Sequence, residues 1–121
     1  MPRILIVDDE AAIRSLLATA FERAGYDVRT ASDGPEALAL CDAEPFDAVL
    51  SDVVMPKMNG HDLARWIAAR RPETRLVLMS GFDVGCQQCP YSPRCQFLPK
   101  PFRLREVLSL VGNALGQPSA N

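Results

Sequence analysis

"RILIVDDE", Arg3 to Glu10, sets four apolar residues, Ile4 to Val7, directly against three carboxylates, Asp8, Asp9 and Glu10. Three of the four apolar side chains are β-branched. A short, unbroken run of this kind suits a strand covered on both faces, as in a parallel sheet. In open parallel sheets, ligands bind beyond the carboxyl ends of the strands. The acids therefore stand where such a sheet would place a binding site.

The pattern continues outward from this strand. From Glu10 to Ala24 the apolar residues fall at Ile13, Leu16, Leu17, Ala20, Phe21 and Ala24, which is helical spacing, and Gly25 follows as a stop signal. "YDVRTA" (Tyr26–Ala31) predicts a short strand. Asp33 offers an N-cap and Pro35 an early helical position for a helix to about Ala43. "FDAVLSD" (Phe46–Asp52) predicts a third strand and "VMPKMNG" a loop. A helix over about Gly60 to Arg71 presents Leu63, Trp66 and Ile67 on one face. "RLVLMS" (Arg75–Ser80) and "CQFLP" (Cys95–Pro99) supply two more strands. An amphipathic helix from Arg103 to about Leu115 closes the series. Such alternation predicts a doubly wound α/β parallel sheet with helices on both faces. One domain over 1–116 and a frayed tail over 117–121 account for the chain.

Composition agrees with a single globular unit. The chain has 121 residues, 48% hydrophobic and 23% charged, with a net charge of −2. That balance does not mark a nucleic-acid or membrane-surface binder. No apolar run approaches the ~20 residues that cross a bilayer. The start meets acids too early for a signal peptide. A cytoplasmic location is expected, where thiols stay reduced.

The polar residues at the predicted strand ends carry the chemistry. Strand one ends in Asp8, Asp9 and Glu10, strand three in Asp52 and strand four in Ser80, and strand five runs into Lys100. Carboxylates brought together repel one another unless a cation joins them. Hard oxygen ligands at an open site suit Mg²⁺, with phosphate as a further ligand. A carboxylate there can attack phosphorus, while a lysine and a hydroxyl hold the phosphoryl oxygens. Blander readings stand beside this one. Asp8 and Asp9 could cap the first helix, Ser80 could close a turn, and Lys100 could be a solvated charge. His61 reads as a solvated residue at a helix start, and Trp66 as part of an apolar helix face.

"ILIVDDE", "VLSDVVMPKMNG", "LVLMSG" and "FLPKPF" together resemble the signature blocks of the receiver domain of bacterial two-component response regulators. The resemblance covers about Arg3 to Leu115. It implies a flavodoxin-like, five-stranded sheet in the order 2-1-3-4-5, with Asp52 as phosphoacceptor. It implies Mg²⁺ bound by Asp9 and Asp52, by Asp8 through water, and by the backbone carbonyl of Val54. Ser80 and Lys100 match the family's hydroxyl and lysine, and Phe97 its aromatic switch position. The implied activity is a phosphorylation-dependent switch, catalysing only its own phosphorylation and dephosphorylation. A sensor histidine kinase or phosphotransfer protein would donate the phosphoryl group, and a downstream effector or a homodimer partner would read the switched face. Val54 and Phe82 would flank the hydrolytic water; both are apolar, so slow self-dephosphorylation is expected. Met1 abuts the first strand and the chain ends after the last helix, so a receiver without an attached effector is expected.

One segment departs from that pattern. "GFDVGCQQCPYSPRCQFLPKPF" (Gly81–Phe102) contains Cys86, Cys89 and Cys95. The family places a helix between strands four and five, but a proline in a helix interior destabilises it by ~3 kcal/mol. Pro90 and Pro93 therefore predict a shortened fourth helix or a Cys/Pro-rich loop in its place. Three readings of the thiols compete. They are packing groups in a compact loop, ligands of a zinc ion or an iron–sulfur cluster, or a redox-active pair. The last two define the rival function, a redox- or metal-responsive interaction module on a receiver scaffold. An aspartyl-nucleophile phosphatase is disfavoured, because "VDDE" lacks the D-x-D spacing of that class.

Overall fold

The structure, a computed structural model, describes residues 1–55, 57–80, 95–99 and 101–116, with the backbone alone at 80, 95–97 and 99. Its elements in chain order are β1 (Arg3–Val7), α1 (Ala11–Arg23), β2 (Asp27–Ala31), α2 (Gly34–Ala43), β3 (Ala48–Asp52), α3 (Gly60–Arg70), β4 (Arg75–Ser80), β5 (Cys95–Pro99) and α4 (Leu104–Ala114). The strands pair in the order β2-β1-β3-β4-β5. All pairs are parallel, with Ile4 opposite Val28 and Ile6 opposite Leu50. Leu50 in turn faces Val77, and Leu78 faces Phe97.

Strand alternation divides the core into two layers. Leu5, Val7, Val49, Leu76 and Leu78 point to one face and pack with Ala37 and Cys41 of α2 and Leu63, Ala64 and Ile67 of α3. Ile4, Ile6, Leu50, Val77 and Met79 point to the other and pack with Leu17 and Phe21 of α1 and Val107 and Val111 of α4. This is why the strand sequences read as unbroken apolar runs. A central strand with helices on both sides has no solvent face to make polar.

Local chemistry sets the helix ends. Asp33 caps α2, its carboxylate accepting the Glu36 N–H at 2.9 Å, with Pro35 just inside. Asn59 caps α3 by accepting the Asp62 N–H at 2.9 Å. After α1 the chain turns at Gly25, whose φ of +97° favours glycine. Neither Asp8 nor Asp9 is the N-cap of α1: Glu10 occupies that position, without a side-chain bond. Asp8 instead closes the turn before the helix, accepting the Glu10 N–H at 2.9 Å.

From β1 the chain crosses to β2 on one side, then returns past β1 to β3 on the other. The topological switch point therefore lies between the carboxyl ends of β1 and β3. The stretch that would hold the fourth helix or Cys/Pro loop, with Cys86, Cys89 and Phe82, lies outside the described residues. So do Lys100 and the 117–121 tail. No described helix is long and apolar enough to cross a membrane.

Candidate functional site

The switch point gathers the acids. Asp8 follows β1 and Asp52 ends β3, and adjacent strands bring their side chains to one edge. Asp8, Asp9 and Asp52 each offer a carboxylate oxygen within 4.8 Å of the others. Asp8 is fully buried and Asp52 only 6% exposed, whereas Asp9 faces solvent. Two buried carboxylates and an exposed one, facing a common point, form a site that is anchored below and open above. The donor set is all hard oxygen, which fits Mg²⁺ better than a soft metal.

Backbone bonds fix the floor of the site. The Asp8 N–H donates to Ala31 O at 3.2 Å and the Val53 N–H to Met79 O at 2.9 Å. The Val54 N–H lies 3.3 Å from Asp52 Oδ1. The Val54 side chain is 58% exposed, at the rim of the acidic cluster. Arg14 on α1 donates from Nη1 to the Asp8 carbonyl at 2.6 Å, holding the β1–α1 turn.

The loop after Asp52 is tied down on two sides. A Cβ on Gly60 would stand 2.6 Å from Asp52 O and 2.9 Å from Val53 Cα. Glycine permits this approach, and the Gly60 N–H donates to Val53 O at 2.8 Å. Lys57 has φ +72°, unusual for a side chain with a Cβ, and pairs with Asp33 at 3.3 Å. The Glu36 backbone N–H holds the Asp33 carboxyl below its ordinary range; desolvation opposes this, and Lys57 reinforces it.

A family model for the response regulator receiver domain matches residues 4–112. The chain belongs to that family. The response regulator receiver protein CpdR of Brucella abortus (strain 2308) is 35% identical over 117 residues, covering 95% of this chain and 98% of that protein. The DNA-binding transcriptional regulator NtrC of Rhizobium meliloti (strain 1021) is 39% identical across 95% of this chain, but this chain spans only 24% of its length. Among solved structures, the receiver domain of the hybrid histidine kinase CckA superposes with a TM-score of 0.80 at 32% identity, covering 93% of this chain and 98% of that one.

In this receiver domain the structure brings together Asp8, Asp9 and Asp52, with Val54 beside them. Ser80 ends β4 and pairs in register with Pro99, one residue before Lys100. Phe97 lies within β5. Cys95 begins that strand. Cys41, the free thiol among the described residues, is buried in α2 against the α2–α3 layer. No observation here favours the redox or metal-responsive reading, or a zinc or iron–sulfur site. His61 is half-buried in the first turn of α3, not fully solvated as its position suggested.

Sequence reasoning missed Arg14, Gly60 and the Asp33–Lys57 pair. Arg14 carried a weak signal, a lone cation one helical turn after an acidic run. Gly60 sits just after a helix cap and reads as punctuation. Lys57 and Asp33 are 24 residues apart, and no local pattern links them.

Proposed function

We propose that the chain is a phosphoacceptor receiver of two-component signalling, with Asp52 as the residue that takes the phosphoryl group. The observation that carries this is the convergence of Asp8, Asp9 and Asp52 at the switch point of a receiver fold. Asp9 and Asp52 would hold Mg²⁺ directly, with Asp8 through water and the Val54 carbonyl as a further ligand. When bound, Mg²⁺ supplies the positive charge that lets an anionic phosphoryl group approach these carboxylates.

Asp52 attacks the phosphorus of a phosphohistidine in line, so that a P–O bond forms as the P–N bond to the donor breaks. Lys100 offsets charge on the phosphoryl oxygens. The Ser80 hydroxyl bonds the new group, and Phe97 turns inward into the space this leaves. The switch is a shift between two packings, biased by contacts that the phosphoryl group makes in one of them. The sheet is five-stranded in the order 2-1-3-4-5. The domain is taken as 1–116.

In the cytoplasm, a sensor histidine kinase or phosphotransfer protein is the expected donor, and an effector protein or a second copy the expected reader. Names among the relatives, a sensor kinase and a transcriptional regulator, are in keeping with such partners. Exposed, apolar Val54 cannot orient a hydrolytic water, nor can Phe82, so the acyl phosphate is expected to be long-lived. Incubation with acetyl phosphate and Mg²⁺, followed by intact-mass measurement over time, tests both points. Label that persists long after donor removal is expected. Rapid loss would contradict the lifetime, and no label in wild-type protein would contradict the function.

A further inference from the structure

Ser51 lies in β3 immediately before Asp52, on the strand face that otherwise carries Val49 and packs against α2 and α3. It is 1% exposed. Burying a hydroxyl in an apolar layer is unfavourable unless it is hydrogen-bonded. The Ser51 hydroxyl donates to the backbone carbonyl of Asp52 at 2.9 Å, and its oxygen lies 3.8 Å from the Met55 sulfur. The same carbonyl faces Gly60, where a Cβ would stand 2.6 Å away. Beyond it, the Val53 N–H is bonded to Met79 O at 2.9 Å, and Val53 O accepts the Gly60 N–H at 2.8 Å. The Asp52–Val53 peptide is thus held on its carbonyl side by a buried hydroxyl and on its amide side by β4.

We propose that Ser51 is a positioning residue for Asp52, its hydroxyl fixing the peptide that sets both the Asp52 carboxylate and the Val54 backbone. This rests on Asp52 being the phosphoacceptor. The two groups expected at the cation, the Asp52 side chain and the Val54 carbonyl, lie on either side of that peptide. A rotation about it moves one relative to the other. Ser51→Ala adds no volume to the buried layer and leaves the core nearly intact, but it releases the carbonyl. A merely space-filling serine would leave the site unchanged on that substitution.

Three readouts separate the roles. Metal-free Ser51→Ala is expected to show faster amide hydrogen exchange at Val53 and Val54, with exchange elsewhere and the denaturation midpoint near wild type. Its affinity for Mg²⁺, by calorimetric titration of the metal alone, is expected to fall about three- to tenfold, the range expected for one net hydrogen bond. Phosphorylation by acetyl phosphate at saturating Mg²⁺ is expected to slow by a similar factor. Ser51→Thr, which keeps the hydroxyl, is expected to restore all three. Wild-type exchange and wild-type Mg²⁺ affinity in Ser51→Ala would overturn the role of Ser51 while Asp52 still takes phosphate. Absence of labelling in the wild type would overturn the reading of Asp52 itself, and the positioning role with it.

Discussion

At the scale of single residues, the site depends on close approach as much as on charge. Gly60 lies so near the Asp52–Val53 backbone that any Cβ must displace it. Gly60→Ala is therefore expected to lower the rate of phosphorylation by acetyl phosphate about tenfold or more, since small misplacements of reacting groups are expensive. Overpacking of this kind is also expected to destabilise the fold by about 1–3 kcal/mol, read from urea denaturation. Cys41 makes a second residue-level prediction. Burial pushes its thiol from 9.0 up to about 11, with Arg71 opposing and Asp42 reinforcing. Below pH 9 both folded and unfolded states keep this proton. Above it the unfolded chain loses the proton first, so unfolding is favoured as pH rises toward about 11. The denaturation midpoint is expected to drop between about pH 9 and about pH 11, and to drop less in Cys41→Ala. Equal drops in both proteins would remove Cys41 as the cause.

At the scale of elements, α2 and the β3–α3 loop act together. Asp33 caps α2 and also pairs with Lys57 in the loop that follows the acceptor aspartate. The two roles are separable, because Asn caps a helix nearly as well as Asp but carries no charge. Asp33→Ala is expected to lower the urea midpoint, and Asp33→Asn to retain most of the stability. Equal losses would assign the effect to the ion pair. The Asp33 carboxyl is held low, so its contribution is present above its ordinary value near 3.8 and is lost as pH falls through the folded value. Elements of this kind were the most legible part of the sequence. Ile4–Val7 and Val49–Leu50 announced buried strands because both faces of those strands are covered. Asp33 and Gly25 announced helix ends because capping and positive φ are local chemistry. What is not local was not legible. The crowding of Asp52 by Gly60 and the reach of Lys57 to Asp33 arise only after separate segments meet. The Ser51 hydroxyl, though it bonds the next residue's carbonyl, reads in the sequence as an ordinary strand serine.

At the scale of the molecule, the sheet order makes the site. Acids at the ends of two strands become a cluster only because β1 and β3 are neighbours at the point where the crossovers part. The cluster was legible as a set, since each acid follows an apolar run. The burial of Asp8 and Asp52 beside an exposed Asp9 was not, because it depends on how the chain packs around each acid. Leu50, fully buried at the centre of β3, packs in the layer that the sheet forms with α1 and α4. Leu50→Ala is expected to destabilise the fold by about 2–5 kcal/mol, checked by urea denaturation. Held carboxylates that repel one another should also make the fold sensitive to a cation. Mg²⁺ at a hundredfold excess over its dissociation constant is expected to raise stability by about 2.7 kcal/mol, and EDTA to remove the gain.

The most direct test of the account is a titration with beryllofluoride, a phosphoryl mimic, in Mg²⁺ buffer, followed by backbone amide shifts. Wild-type protein is expected to respond at residues around Asp52 and along β4 and β5. Asp52→Asn is expected to give no response while keeping its fold. A response that persists in Asp52→Asn, or none in the wild type, would contradict the assignment of Asp52 as the phosphoacceptor.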